Sequence, residues 1–90
     1  MFYLYILESE FDQSFYIGST EDLDNRVNEH NFGNTRFTKR KRPWKVVYLE
    51  EYKTRGEAVK RERYLKRLKS KKYINYLIVR ARSSTVEQSR

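Results

Sequence analysis

The sequence contains no cysteine, so neither a disulfide framework nor a cysteine-ligated zinc site can hold the fold together. This absence is compatible with a reducing cytoplasm, which is where we expect the protein to act. Long hydrophobic runs are also missing, and the first residues, MFYLYILESE, lack a basic stretch before the apolar one. We therefore expect neither a membrane-spanning helix nor a signal peptide. A chain of 90 residues buries only about 60% of its unfolded surface, which indicates one domain with a small core.

Basic residues are almost absent from the first third of the chain. Residues 1–30 contain seven acidic side chains and one basic side chain, Arg26, whereas residues 31–90 contain 19 basic and five acidic ones. The resulting net charges, −6 and +14, together give the +8 of the whole chain. This asymmetry indicates a polyanionic partner, and the aromatic residues among the bases favour nucleic acid over a membrane surface. The plainer alternative is that the charges only keep helix faces in contact with water.

The hydrophobic patterns predict an α+β domain over residues 1–80, with a small three-stranded antiparallel sheet flanked by helices in the order ββαβαα. The predicted strands span 2–7, 14–19 and 44–52, and the predicted helices span 20–31, 54–68 and 70–80. Predicted helix N-caps are Ser19 or Thr20, then Thr54 in capping-box spacing with Glu57, then Ser70. The stretch FGNTRFTKRKRP is a basic loop over 32–43, and the polar segment ARSSTVEQSR over 81–90 is expected to be a disordered tail.

Tyrosines recur on the first two predicted strands. Strand alternation places Tyr3 and Tyr5 on one face of the first strand, and Tyr16 and Gly18 on one face of the second. A hairpin that turns through residues 9–12 places Tyr5 opposite Tyr16, and Gly18 then leaves room for a close approach to the backbone. From these two strands alone, a tyrosine-lined packing face is the better interpretation.

The first predicted helix carries two polar residues at the edges of its apolar stripe. Leu23 and Val27 define the stripe, and Arg26 and His30 flank it one turn apart. Both side chains are therefore expected to point across the sheet. A lone histidine near an apolar stripe is more often structural than catalytic, but this one accompanies the single base of an acidic segment.

Glu62 falls inside the apolar stripe of the second predicted helix, between Ala58 and Leu65. Burying a carboxylate costs several kcal/mol unless a cation, a metal or a hydrogen-bond donor meets it. Glu62 therefore either pairs with Arg26 for structural reasons or holds a divalent metal. Position alone leaves these two alternatives equal.

In this order, YLY at 3–5, YIG at 16–18, Arg26, His30 and Glu62 resemble the motifs of the GIY-YIG nuclease superfamily. The chain is most similar to small single-domain members such as the nuclease module of the excision-repair protein UvrC. The resemblance covers about residues 1–79.

Two positions depart from the family pattern. Tyr3 stands where the first motif has glycine, although the matching tyrosine, Tyr5, is kept. Some members carry an asparagine near the end of the domain, and Asn75 is the nearest candidate for it.

The resemblance implies an endonuclease that hydrolyses DNA phosphodiester bonds with Mg²⁺ or Mn²⁺, in DNA repair or processing. Glu62 would be the metal ligand, and Arg26 would clamp the scissile phosphate. Tyr16, with Tyr5 beside it, would position or deprotonate the attacking water, and Gly18 would shape the site. His30 is an alternative base or a phosphate donor, and the sequence does not rank Tyr16 and His30.

The basic loop and the second helix are expected to hold the nucleic-acid backbone through contacts that do not depend on sequence. The nine candidate residues are Arg36, Lys39, Arg40, Lys41, Arg42, Lys60, Arg61, Arg63 and Lys66. Phe37 is a candidate for base stacking, whereas Trp44 is expected in the core. We therefore expect a monomer that selects DNA by shape, with branched or single-stranded DNA as candidates. The alternative is a catalytically inactive nucleic-acid binding module on the same scaffold.

Overall fold

A computed structural model describes residues 1–32 and 39–88, with side chains described through residue 81. Its elements are β1 (Phe2–Ser9), β2 (Phe15–Thr20), α1 (Leu23–Phe32), β3 (Trp44–Tyr52), α2 (Arg55–Leu68) and α3 (Lys71–Gln88). The three strands form one antiparallel sheet in the order β2-β1-β3. This architecture confirms the predicted α+β class and the order ββαβαα.

The central strand β1 is apolar on both of its faces, and helices cover both. Leu4 and Ile6 point to the face covered by α2 and α3, and both are fully buried. Tyr5 and Leu7 point to the opposite face, which α1 covers, and they are equally buried. Because successive side chains of a strand alternate between faces, a continuous apolar run such as YLYIL fits only a strand that is covered on both sides.

The domain therefore has two small cores that share β1. An aliphatic core lies on the side of α2 and α3, and its buried members are Leu4, Ile6, Leu65, Ile74, Leu77 and Ile78. An aromatic core lies on the side of α1, with Tyr5, Leu7 and Trp44 buried and with Tyr16, Leu23 and Val27 packed against them. The prediction that Trp44 belongs to the core is confirmed, since only 3% of its surface is exposed.

The caps of α2 and α3 follow the prediction, whereas the cap of α1 does not. Thr54 Oγ1 accepts a hydrogen bond from the backbone N–H of Glu57 at 3.2 Å, and Ser70 caps α3 in the same way. The predicted cap of α1 at Ser19 or Thr20 is wrong, because the carboxylate of Asp22 accepts from the backbone N–H three residues later, at 3.2 Å. Thr20 instead supports Asp22, whose backbone N–H donates to the Thr20 hydroxyl.

The β1–β2 turn lies one residue later than predicted. The hydroxyl of Ser9 accepts hydrogen bonds from the backbone N–H groups of Phe11 and Asp12, and Gln13 adopts a left-handed φ of 63°. The turn through 9–12 is therefore wrong. In the observed register Tyr5 lies opposite Gly18, and Tyr16 lies opposite Leu7.

Helix α3 ends at Gln88 instead of near residue 80, so residues 81–88 of the expected tail are helical. Neither glycine nor proline occurs in that segment, so no residue there stops the helix. Arg36 and Phe37, for which nucleic-acid contacts are predicted, lie outside the described residues. None of the described helices has the length and apolar composition needed to cross a membrane.

Asn31, near the end of α1, forms two hydrogen bonds with the backbone of the first residue of β3, and we call this pair of hydrogen bonds the Asn31 bracket. Asn31 Oδ1 accepts from the backbone N–H of Trp44 at 2.6 Å, and Asn31 Nδ2 donates to the carbonyl of Trp44 at 3.2 Å. The two hydrogen bonds join positions 13 residues apart and fix the last turn of α1 against the sheet. His30 is the preceding residue, so this bracket also positions the imidazole.

We expect Asn31→Ala to lower the free energy of unfolding by about 1–2 kcal/mol, because two hydrogen bonds to the backbone of a buried residue are lost. Chemical denaturation monitored by circular dichroism measures the change. Asn28→Ala is the matched control, since Asn28 is exposed on the same helix. Equal stability of the two variants would show that the bracket contributes nothing.

Candidate active site

Three aromatic rings meet on the α1 side of the sheet. The ring centroids of Tyr16 and His30 lie 4.5 Å apart, and those of Tyr5 and Tyr16 lie 6.4 Å apart. The Tyr5 hydroxyl lies 3.3 Å from His30 Nε2, and both side chains are buried. The strands bring the two tyrosines to one face, and α1 brings the histidine over them. We call Tyr5, Tyr16 and His30 the ring cluster.

The environment of the ring cluster sets the protonation of two of its members. Burial is the main factor that raises the pKa of the Tyr5 hydroxyl, so this phenol keeps its proton. Burial, followed by the nearby charge of Arg26, lowers the pKa of His30, so the imidazole is neutral at pH 7. The tautomer of His30 sets the direction of the hydrogen bond: Tyr5 donates to Nε2 when the imidazole proton is on Nδ1, and Nε2 donates to the phenol oxygen when the proton is on Nε2.

Arg26 extends from α1 beside the cluster. Its charge lowers the pKa values of both Tyr5 and His30, although burial outweighs it at Tyr5. The guanidinium makes a long ion pair of 3.9 Å with Glu29, and its Nε is buried without a hydrogen-bond partner among the described residues. The side chain as a whole is 43% exposed, so the exposed part of the guanidinium, and not the buried Nε, is where an anion could bind.

Glu62 reaches the site from the other side of the sheet. Helix α2 packs on the aliphatic core, and the carboxylate accepts a hydrogen bond from Ser19 Oγ at 2.6 Å at the edge strand β2. Ser19 directly follows Gly18, which contacts Tyr5, and the charge of Glu62 contributes to the raised pKa of Tyr5. Glu62 thus lies at the edge of the sheet, and its effect on the pKa of Tyr5 is small beside that of burial.

The structural ion pair between Glu62 and Arg26 that the sequence allowed is not formed. Glu62 pairs instead with Lys66, one turn along α2, at 2.6 Å between Nζ and Oε2. The Glu62 side chain is 19% exposed and that of Lys66 is 51% exposed. The carboxylate is thus held by one hydroxyl and one exposed ammonium group.

Gly18 serves a packing purpose that differs from the prediction. A Cβ atom at this position would lie 2.4 Å from the Tyr5 hydroxyl oxygen and 2.6 Å from the ring carbon that bears it. The space that glycine leaves is therefore filled by the Tyr5 ring itself. The glycine lets this ring lie against β2 in reach of His30.

The two positions that depart from the family pattern lie outside the ring cluster. Tyr3 pairs with Thr20 and lines an open cavity of about 830 Å³ between the sheet and the start of α1. Four carboxylates share that lining: Glu21, Asp22, Asp24 and Glu51. Asn75 is exposed on α3.

The loop predicted over 32–43 differs from the structure at its described positions, because Phe32 is the last residue of α1 and Lys39 is helical. The described bases of this segment differ in their exposure. Lys39, Arg40 and Arg42 are exposed, as expected. Lys41 is half-buried, and its ammonium group lies 3.3 Å from the Asp12 carboxylate and donates to Ser14. Lys41 therefore ties the loop to the β1–β2 turn.

Among the α2 bases, Lys60, Arg63 and Lys66 are exposed. Arg61, which was predicted to contact the nucleic-acid backbone, is paired within the protein instead. Its guanidinium forms two short contacts, at 3.1 and 3.3 Å, with the carboxylate of Glu50 on β3, and only 24% of the side chain is exposed. The physical reason is that Glu50 lies on the face that α2 covers, where its charge requires a cation.

Ser19 is the site residue that the sequence interpretation missed. It was considered only as a helix cap, yet its hydroxyl holds the Glu62 carboxylate. Strand alternation carried the signal, because Ser19 points to the same face as Leu4, which the apolar stripe of α2 also covers.

The residues present fit a divalent cation that takes a single carboxylate from the protein and keeps water as its other ligands. Within residues 1–32 and 39–88, no group of three or more His, Cys, Asp or Glu side chains lies together in a way that could enclose a metal. Glu62 offers one partly exposed carboxylate at the edge of the sheet. This suits Mg²⁺, which usually keeps several water ligands and takes only one or two carboxylates from the protein.

A three-stranded antiparallel sheet that carries this arrangement of tyrosines, histidine, arginine and glutamate has the architecture of a nuclease domain. The profile of the GIY-YIG catalytic domain matches residues 1–75. The chain belongs to the GIY-YIG family, whose members are endonucleases.

Among individual proteins, the chain is similar to several UPF0213 proteins. It is 41% identical over 83 residues to one from Listeria welshimeri, and the aligned region covers 91% of each chain. It is 37% identical over 76 residues to UPF0213 protein YazA of Bacillus subtilis, which covers 83% of this chain and 76% of YazA. The solution NMR structure of a UPF0213 protein from Bacillus halodurans matches at a TM-score of 0.55 and 32% identity, over 88% of this chain and 84% of that one.

We expect Gly18→Ala to destabilise the domain by about 1–3 kcal/mol, because the new methyl group overlaps the buried Tyr5 ring. Gly56→Ala is the matched control: a Cβ there meets nothing within 4 Å, and alanine favours the helix by up to about 1 kcal/mol. Tyr5→Phe in the Gly18→Ala background removes the nearest atom and should restore part of the loss. Thermal melts of the four proteins compare these effects, and a stable Gly18→Ala variant would contradict the close contact.

His30 is the only histidine of the chain, so its titration can be isolated. Because burial lowers its pKa in the folded state, the unfolded chain gains a proton before the folded one as pH falls through about 6.5. The free energy of unfolding should therefore decrease from pH 7.5 to 5.5, no more steeply than about 1.4 kcal/mol per pH unit. Urea titrations across this range measure the slope. The slope should be absent in His30→Gln, and a slope retained in that variant would assign it to other groups.

Proposed function

We propose that the protein is a divalent-metal-dependent endonuclease that hydrolyses DNA phosphodiester bonds. The observation that carries the proposal is the contact of Tyr5, Tyr16 and His30, with Arg26 on the same helix as His30 and with Glu62 at the edge strand that carries Tyr16. Phosphodiester hydrolysis needs these components: a group that takes a proton, a cation beside the phosphate and a carboxylate for a metal.

Each residue has a role that its surroundings support. Arg26 binds the scissile phosphate through the exposed part of its guanidinium, whose charge lies close enough to the ring cluster to lower the pKa values of Tyr5 and His30. Tyr16 positions the attacking water, and the neutral His30 against its ring is the alternative proton acceptor. Tyr5 stays protonated and holds the imidazole through its hydrogen bond.

Glu62 is the proposed metal ligand, and Ser19 fixes the direction of its carboxylate. A bound Mg²⁺ or Mn²⁺ would supply charge neutralisation at the phosphate and a lowered pKa of a coordinated water. Glu62 must exchange Lys66 for the metal, and the Lys66 ammonium group can return to water because its side chain is 51% exposed.

The proposal extends to the substrate and the setting. The exposed bases Lys39, Arg40, Arg42, Lys60 and Arg63 would contact backbone phosphates, which supports selection by DNA shape, such as branches or single-stranded segments. We infer a role in DNA repair or processing, in the cytoplasm, for a protein that acts as a monomer.

A second candidate function is a nucleic-acid binding module that does not cleave. The specific observation in its favour is the ion pair of Glu62 with Lys66, because a cation already neutralises the carboxylate that a metal would need. Incubation of branched, flapped and single-stranded DNA with and without Mg²⁺ or Mn²⁺ separates the two. Product that forms only with metal supports the nuclease, and intact DNA at saturating protein supports the binding module.

Glu62→Gln tests the metal ligand directly. Cleavage should fall roughly a hundredfold or more, because the charge that holds the cation is removed. Stability should change little, since the amide oxygen can still accept from Ser19 and the Lys66 that loses its partner is exposed. DNA affinity without metal should stay equal or rise slightly, as one negative charge leaves.

Glu57→Gln is the matched control on the same helix, because Glu57 is exposed and glutamine also serves at this capping position. Cleavage rates and thermal melts of both variants complete the test. Normal cleavage by Glu62→Gln, or a large loss of stability in that variant, would contradict the assigned role.

A further inference from the structure

A second aromatic and basic cleft lies away from the ring cluster, on the face of the sheet that α2 and α3 cover. Its volume is about 340 Å³, within the range of pockets that hold small ligands. The lining consists of Tyr48, Arg61, Tyr73, Tyr76, Leu77, Arg80 and Ala81. This lining contains three tyrosines, two arginines and no carboxylate.

The floor of the cleft is held by a hydrogen-bond network around Glu50. Its carboxylate accepts from the hydroxyls of Tyr48 and Tyr52, each at 2.5 Å, and from the guanidinium of Arg61 at 3.1 Å. These donors keep the pKa of Glu50 low although burial alone would raise it, so the carboxylate stays charged and neutralises Arg61. The floor is therefore rigid and nearly neutral.

The rim of the cleft differs from the floor, because it carries an exposed tyrosine, Tyr76, and an exposed arginine, Arg80. Tyr73 and Tyr76 stack with ring centroids 6.0 Å apart and an interplanar angle of 25°, and 53% of Tyr76 is exposed. Arg80 donates to the Tyr76 hydroxyl at 3.1 Å through Nη1, which uses one of its five N–H donors. Lys72 lies one turn before Tyr76, so Lys72, Tyr76 and Arg80 form a stripe along α3.

We propose that this cleft is a second nucleic-acid site, which binds an unpaired nucleotide by stacking its base on Tyr76 and pairing its phosphate with Arg80. Base stacking on an exposed aromatic ring beside a positive charge is how proteins hold single strands without reading sequence. Duplex DNA offers no free base face to the same ring, so the site separates single-stranded from paired segments.

Charge identifies the occupant. The rim carries Arg80, with Lys72 exposed two turns before it on α3, and the lining of the cleft holds no acidic side chain to receive a basic protein surface. A second copy of this chain would have to place its acidic residues, which lie mainly in the first 30 residues, on the rim. The stacking of Tyr73 and Tyr76 does not depend on such a contact. An anion with a flat aromatic face matches both features of the rim.

The experiment measures binding of an end-labelled oligodeoxythymidylate and of a blunt duplex of equal length, in EDTA so that no cleavage takes place. Tyr76→Ala should weaken single-strand binding roughly tenfold and leave duplex binding within about twofold. Arg80→Gln should lower the slope of log affinity against log salt by about 0.7 for the single strand. Both side chains are exposed, so circular dichroism should show unchanged folding.

Matched controls are Phe11→Ala, an aromatic residue that is 72% exposed on the β1–β2 turn, and Arg55→Gln, an exposed arginine paired with Glu21. Neither should affect single-strand affinity beyond the general loss of one charge in Arg55→Gln. Unchanged single-strand binding by Tyr76→Ala overturns the proposal, and so does an equal loss for single strand and duplex. A wild-type dimer that Tyr76→Ala converts to monomer also overturns it, because the cleft is then a contact between copies.

The proposal rests on nucleic acid as the partner of the proposed nuclease but not on cleavage. If wild-type protein cleaves nothing and Tyr76→Ala still loses single-strand binding, the second site stands without the nuclease. If metal-dependent cleavage is found and Tyr76→Ala binds normally, the nuclease stands without the second site.

Discussion

The candidate site depends on the contact between the Tyr5 ring and the backbone of Gly18. Because the cross-strand partner of Tyr5 has no side chain, the ring can lie down against β2 with its hydroxyl directed to His30. The strand that carries Tyr5 is itself fixed by Leu4 and Ile6 on the opposite face. The position of the Tyr5 hydroxyl is thus set by two features together: Gly18 on the edge strand β2 and the aliphatic core on the opposite face of the sheet.

The sequence predicted the faces of the strands correctly although it predicted the turn wrongly. Moving the turn by one residue changes the partner of Tyr5 from Tyr16 to Gly18, which are two positions apart and therefore point to the same face. The tyrosines consequently share the α1 side in either register. The turn itself depends on the Ser9 hydroxyl and on a left-handed Gln13, and neither carries the asparagine–glycine signal of common hairpin turns.

Helix interiors were predicted more accurately than the partners of charged side chains. Ala58 and Leu65 are buried as the periodicity of α2 requires, because burial follows from one helix alone. The partners of Glu62 and Arg61 depend on which strand lies beneath them, so Ser19 and Glu50 could not be derived from the helix pattern. The same limit applied to α1, where Thr20 and Asp22 are both good caps and only the geometry of the turn after β2 selects Asp22.

The hydrogen bonds from Asn31 to Trp44 have a consequence for how such a domain can diversify. They fix the last turn of α1 to the first residue of β3, so the two ends of the intervening segment are held together. Insertions or deletions between these ends leave the imidazole on one side and the indole on the other where they are. The length and sequence of the segment between Phe32 and Trp44 can therefore change without moving His30 away from Tyr5 and Tyr16.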